Sequence, residues 1–113
     1  MEGFLRRLLD KDDGVASKLR AAATIYVVPN MNPDGAVRGH LRTNAAGSNL
    51  NREWAPTQIA GTAGTTEYAA PTLERSPEVL HVLREVDATG CDCFLDVHGD
   101  EELPYNFIAG AWL

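Results

Sequence analysis

The sequence predicts an α/β fold, a mixed and largely parallel sheet with crossover helices. The run Thr24–Val28 is continuous and β-branched, as a strand covered on both faces is, and Cys91–Val97 reads as a second hydrophobic strand. Each follows a segment whose apolar residues recur at helical spacing. The order helix, strand, long connection, helix, strand favours parallel neighbours joined by crossovers.

The elements follow in order. Met1, Phe4, Leu5, Leu8 and Leu9 form one stripe of a helix, and Lys11-Asp12-Asp13-Gly14 stops it. Val15 to Arg20 predicts a further helical turn or two. Pro29 ends the first strand, because it cannot donate to a ladder. Asn32-Pro33-Asp34-Gly35 then reads as a turn. Asn30 to Thr72 has little periodicity, and so long a connection in a compact domain is usually functional or disordered. Gly61 to Thr66 is the stretch expected to move most. Ser76-Pro77-Glu78 is a helix start, with a hydroxyl cap, Pro at the first helical position and an early carboxylate. Val79, Leu80, Leu83 and Val86 give this helix its buried stripe, and Gly90 ends it.

At 113 residues with a hydrophobic fraction of 44%, the chain fits one globular domain. Its formal charge of −6 argues against a nucleic-acid partner, which would want a basic face. No apolar run approaches the ~20 residues of a membrane helix, and no signal peptide is present, so a cytoplasmic location without a membrane partner is expected. Cys91 and Cys93 lie too close for a favourable disulfide and lack the further partners of a zinc motif. Both read as small strand residues in a reducing compartment.

Ligands of open α/β sheets gather beyond the carboxyl ends of strands. The polar connection leaves one such end at Val28, and His98 leaves the other at Val97. His98 suits metal ligation or proton transfer, although a structural hydrogen bond at a strand end would also account for it. Asp96 shares its strand parity, so both side chains leave on one face. Asn51 and Arg52, with Arg42 upstream, could hold a carboxylate in a bidentate grip or stabilise an oxyanion. The competing reading is a solvated surface pair between Arg52 and Glu53. Asp100-Glu101-Glu102 reads as a solvated face. There is no phosphate-binding glycine loop and no serine-nucleophile elbow.

Together these residues resemble the zinc metallocarboxypeptidases of the M14 type, nearest the cytosolic carboxypeptidase branch. The resemblance runs from about Tyr26 to Phe107. It rests on VVPNMNPDG after a strand, Arg42 followed by the G-x-N/D-L-N-R-x-W element at Gly47 to Trp54, SPEV at a helix start, and D-x-H-G at Asp96 to Gly99. It implies that His98 is a zinc ligand and that Asn51 and Arg52 bind the C-terminal carboxylate of the substrate. It also implies that Arg42, a better match than Arg38, polarises the scissile carbonyl. The activity implied is zinc-dependent hydrolysis of the C-terminal peptide bond of peptides or protein tails, acidic tails among them. The family's H-x-x-E ligand element has no match, since Thr43 follows His40 and Arg84 follows His81 at the Glu position. Its catalytic Glu and substrate-capping Tyr have no match either. Residues 1–113 are therefore expected to be an internal part of the catalytic domain, carrying part of the site and inactive alone. The alternative is a non-catalytic module that binds C-terminal carboxylates through Arg and Asn.

Overall fold

In a computed structural model of the chain, residues 1–54, 70–99 and 105–108 are described. The first helix, α1, spans Glu2–Leu9, and the second, α2, spans Gly14–Ala22. Phe4, Leu8, Val15, Ala16 and Leu19 line the cleft between them, with Leu8 and Ala16 buried. The polar link does more than stop α1. Asp13 caps α2, its Oδ1 accepting from the amides of Val15 and Ala16, both at 2.8 Å. Its Oδ2 accepts from Arg7 Nε at 2.6 Å, which closes the link against α1. The Arg7 guanidinium, aided by the Ala16 amide, holds the Asp13 carboxyl below the usual carboxylate range. At the other end, Arg20 Nη1 donates to the carbonyls of Leu8 and Asp10.

Up to Trp54 the polar connection is not an irregular loop. Asn32-Pro33-Asp34-Gly35 starts a helix rather than a turn: α3 spans Pro33–Arg38, with Asn32 as its cap and Pro33 in its first turn. Asn32 Oδ1 accepts from the Gly35 amide at 3.1 Å, and its Nδ2 donates to Thr43 O at 3.0 Å. One side chain thus fastens the start of α3 to the chain returning behind it. Gly35 is buried in that contact. A Cβ there would lie 2.2 Å from Asn32 Nδ2 and 2.5 Å from the Thr43 carbonyl. Thr43 then pairs with Asn49 in an isolated antiparallel bridge, and a 3-10 turn, Leu50–Arg52, follows.

The last helix, α4, spans Pro77–Thr89. The expected stripe is there: Val79 is wholly buried, and Leu80, Leu83 and Val86 are half-buried. Gly90 follows at φ +79°, a conformation glycine accepts without strain. Ser76 occupies the cap position, but its side chain makes no capping bond. Its hydroxyl is used elsewhere, as described below.

The expected parallel sheet is not formed among the described residues, which contain no strand. Thr24–Val28 and Cys91–Val97 are unpaired, and Tyr26, Val28, Phe94, Leu95 and Val97 are exposed. The physical reason is that apolar, β-branched composition suits a covered strand but does not supply the neighbour whose N–H and C=O groups must complete the ladder. Cys91 and Cys93 are exposed and lie in no strand. The stretch from Gly61 to Thr66 lies outside the described residues.

Two outcomes follow. Gly35→Ala should destabilise the protein by about 1–3 kcal/mol in urea unfolding, because the Thr43 backbone oxygen cannot rotate away from the added carbon. Unchanged stability would show that the contact between α3 and Thr43 is looser than described. The Asp13 contribution has a defined pH sense. A depressed folded-state pKa stabilises fully above the unfolded value of ~3.9 and is lost as pH falls through the folded value. Helicity of α1 and α2, followed by Cα chemical shifts, should persist through pH 5 and decline below ~pH 4. In Asp13→Ala the helicity should be lower throughout and lack that acid transition.

Candidate functional site

The site grows from a local constraint. In a 3-10 turn, residues three apart eclipse one another. Here Leu50 and Glu53 are such a pair, and both are buried. Asn51 and Arg52 therefore occupy the remaining sides of the turn, and both are half-buried. Asn49 starts the turn, its Oδ1 accepting from the Asn51 amide at 3.1 Å and its carbonyl from the Arg52 amide at 2.9 Å. Arg52 Nη1 donates to Asn51 O at 2.9 Å, folding the guanidinium back over the turn.

Glu53 docks this turn onto α4. Its Oε2 accepts from Arg75 Nε at 2.7 Å and from the fully buried Ser76 hydroxyl at 2.9 Å. The competing reading of a surface pair between Arg52 and Glu53 gives way to a buried long-range pair of Glu53 with Arg75. Arg75 is itself held, its Nη2 on the Ala70 carbonyl and its amide on Thr72 Oγ1 at 3.1 Å. A second buried residue, Asn44, completes the dock. Its Nδ2 donates to Arg75 O at 2.8 Å and to Glu78 Oε2 at 3.1 Å. Its Oδ1 accepts from the amides of Ala46 and Ser48, both at 3.0 Å. Every donor and acceptor of the Asn44 amide side chain is used.

Arg42 is exposed and immediately precedes the Thr43–Asn49 bridge, so its backbone runs beside the turn that carries Asn51 and Arg52. His98 belongs to a different segment. Trp54, next after Glu53, meets Phe94 edge to face, with ring centroids 5.7 Å apart. That contact ties the turn to the segment on which His98 lies four residues later. His98 Nε2 meets Asp96 Oδ2 at 2.8 Å, so the shared parity brings the two side chains together. Both are about half exposed.

The metal-binding capacity of this arrangement can be stated directly. A carboxylate on one imidazole nitrogen fixes the ring and leaves the other nitrogen, here Nδ1, for a metal. A catalytic zinc takes three protein ligands. Among the described residues no group of three or more His, Cys, Asp or Glu side chains gathers in position to hold an ion. His98 with Asp96 is thus one donor, short of a zinc site. Asp100, Glu101 and Glu102 lie outside the described residues. No helix among the described residues is long and apolar enough to cross a membrane.

The chain as a whole is similar to known proteins. The zinc carboxypeptidase family, peptidase M14, matches residues 1–108. The chain belongs to that family. An uncharacterised protein of Zymomonas mobilis is 54% identical over 110 residues, 97% of this chain and 25% of its own length. The metallo-carboxypeptidase of Pseudomonas aeruginosa, solved in complex with (2-guanidinoethylmercapto)succinic acid, superposes with a TM-score of 0.71 at 47% identity, over 92% of this chain and 24% of that one. The cytosolic branch matches in part: cytosolic carboxypeptidase-like protein 5 of Danio rerio is 46% identical over 52 residues, 46% of this chain and 6% of its own length. The chain spans about a quarter of the length of the first two relatives. The zinc carboxypeptidase-like fold expected from the motifs is therefore the fold of this chain's family.

Sequence reasoning missed the residues that hold the site: Asn44, Arg75 and the role of Glu53. The asparagine-rich run from Asn44 to Asn51 carried a signal for side-chain-to-backbone bonds. Nothing local pointed to Arg75 as the partner of Glu53, 22 residues away. A sharp test is Asn44→Asp, which replaces a donating nitrogen with an oxygen facing the Arg75 carbonyl and the Glu78 carboxylate. It should cost about 3 kcal/mol in urea unfolding at pH 7. An unchanged midpoint would mean that the Asn44 amide is not held as described.

Proposed function

We propose that this protein takes part in zinc-dependent removal of C-terminal residues from peptides or protein tails, with residues 1–113 carrying part of the active site. The observation that supports this most is the Asn51–Arg52 turn, fixed on a buried polar dock in a member of the zinc carboxypeptidase family. The Arg52 guanidinium offers a planar fork for the substrate's terminal carboxylate, and the Asn51 amide adds a neutral donor. Arg42 stands on the approach to the turn, suited to the carbonyl oxygen of the bond to be cut, where negative charge develops.

His98 contributes one metal ligand through Nδ1, and the remaining donors come from outside the described residues. Zinc, when bound, supplies a water acidified toward neutrality as the nucleophile. In the complete domain, Thr24–Val28 and Cys91–Val97 pair into a largely parallel sheet with further strands. The relatives' fourfold greater length supports this, as do the exposed apolar side chains of both runs. The likeness to a carboxypeptidase solved with a succinic acid derivative supports a carboxylate-bearing ligand. The partial match to cytosolic carboxypeptidase-like proteins supports the cytoplasm as location, and acidic protein tails are the substrates that the resemblance to that branch implies.

A second reading is a carboxylate-binding module without catalysis. It is favoured by Asn51 and Arg52 lying together on a single turn, while no group of three or more metal-ligating side chains gathers among the described residues. The two readings separate cleanly. For the peptidase, Arg52→Ala should weaken binding of free-acid peptides by roughly 10–100-fold and leave C-terminally amidated peptides unaffected. His98→Ala should remove zinc from the purified protein, as read by atomic absorption. Zinc content unchanged by His98→Ala would contradict its role as a ligand. Peptide binding intact in His98→Ala, with no zinc in either form, would favour the module.

A further inference from the structure

We propose that Arg75 is a positioning residue for carboxylate recognition, because it neutralises the Glu53 carboxylate beside Arg52. The inference rests on the reading that Asn51 and Arg52 grip a substrate carboxylate, and it deepens that reading. Glu53 is the residue after Arg52, so the chain places a negative side chain next to the group meant to attract a negative substrate. Left uncompensated at this half-buried turn, that carboxylate would repel the incoming anion and compete for the guanidinium.

The geometry provides the compensation. Glu53 turns to the buried side of the 3-10 turn, and its side chain is only 8% exposed. Arg75 Nε approaches its Oε2 at 2.7 Å, and the Ser76 hydroxyl donates to the same oxygen at 2.9 Å. Arg75 is poised for this by separate contacts to Ala70 and Thr72. The carboxylate is therefore satisfied on the face away from substrate, while its anchoring fixes the backbone of Arg52. Arg75 touches no substrate in this account and acts through Glu53.

The test is the ratio of affinities for a free-acid peptide and the same peptide amidated at its C-terminus. The full-length protein and three variants, each confirmed folded by circular dichroism, are compared. Arg75→Gln should lower the acid-to-amide ratio about tenfold, by freeing the Glu53 charge. The double variant Glu53→Gln with Arg75→Gln should restore part of it, because no stray carboxylate remains even though the turn is held less firmly. Arg75→Lys, which keeps the charge, should retain the preference. With 42% of its side chain exposed, Arg75 leaves little cavity when replaced, and Glu53 keeps the Ser76 hydroxyl as a partner. An unchanged ratio in Arg75→Gln, or a double variant no better than the single, would overturn the inference while carboxylate recognition stood. A wild-type protein with no preference for the free acid would overturn both.

Discussion

The fixed point of this structure is a buried carboxylate. Glu53 lies at the junction of a polar turn and the start of α4, and its Oε2 takes both the Arg75 guanidinium and the Ser76 hydroxyl. A charge so placed is tolerable only when paired and hydrogen-bonded. That requirement dictates which residues must meet. Ser76 gives its hydroxyl to Glu53 instead of capping α4, and Arg75 turns back over the turn. Asn44 finishes the joint by bonding the Arg75 carbonyl and Glu78. The described part of the chain is organised by polar satisfaction at least as much as by apolar burial, since Asn44, Glu53 and Ser76 are as buried as Leu50 and Val79.

This has a functional consequence. Recognition of a small anion needs donors held still, because precision in placement is lost if the supporting side chains wander. A loop rich in Asn and Gly would ordinarily be too mobile. Here Asn32, Asn44 and Asn49 each bond nearby backbone, giving the segment internal structure without regular helix or sheet. Asn51 and Arg52 inherit that rigidity from Leu50 and Glu53 on the opposite side of the turn. The second half of the proposed site is attached differently. His98 and Asp96 hold one another, and their segment reaches the turn through the Trp54–Phe94 contact.

Where the decisive physics is local, the sequence was legible. The helices α1 and α4, the buried stripe of α4, the stop at Gly90 and the pairing of Asp96 with His98 follow from spacing along one segment. Of the stripe read for α1, by contrast, only Leu8 is buried, and Met1, Phe4 and Leu9 are exposed. Even α3 was readable in principle, because Asn32 followed by Pro33 is a cap and first-turn signal as well as a turn signal. The reading failed where partners lie far apart. Ser76 looked like a cap because nothing nearby announced Glu53. Glu53 looked like the surface partner of Arg52 because Arg75 lies 22 residues away. The sheet was inferred from two apolar runs whose strand character depends on neighbours the described residues do not supply. The family was readable as ordered motifs, whereas the polar dock beneath Asn51 and Arg52 carries no motif at all.

The central claim is that the polar segment from Asn32 to Glu53 is a rigid platform rather than a loop. Native-state hydrogen exchange tests it most directly. The amides of Gly35, Ala46, Ser48 and Arg52 all donate within this segment, to Asn32 Oδ1, Asn44 Oδ1 or Asn49 O. The account predicts that these four exchange as slowly as the interior amides of α4, and that Glu53→Gln accelerates Arg52 before α4. Fast exchange at all four in the unaltered protein, with α4 protected, would show that the turn is not held and would contradict the account.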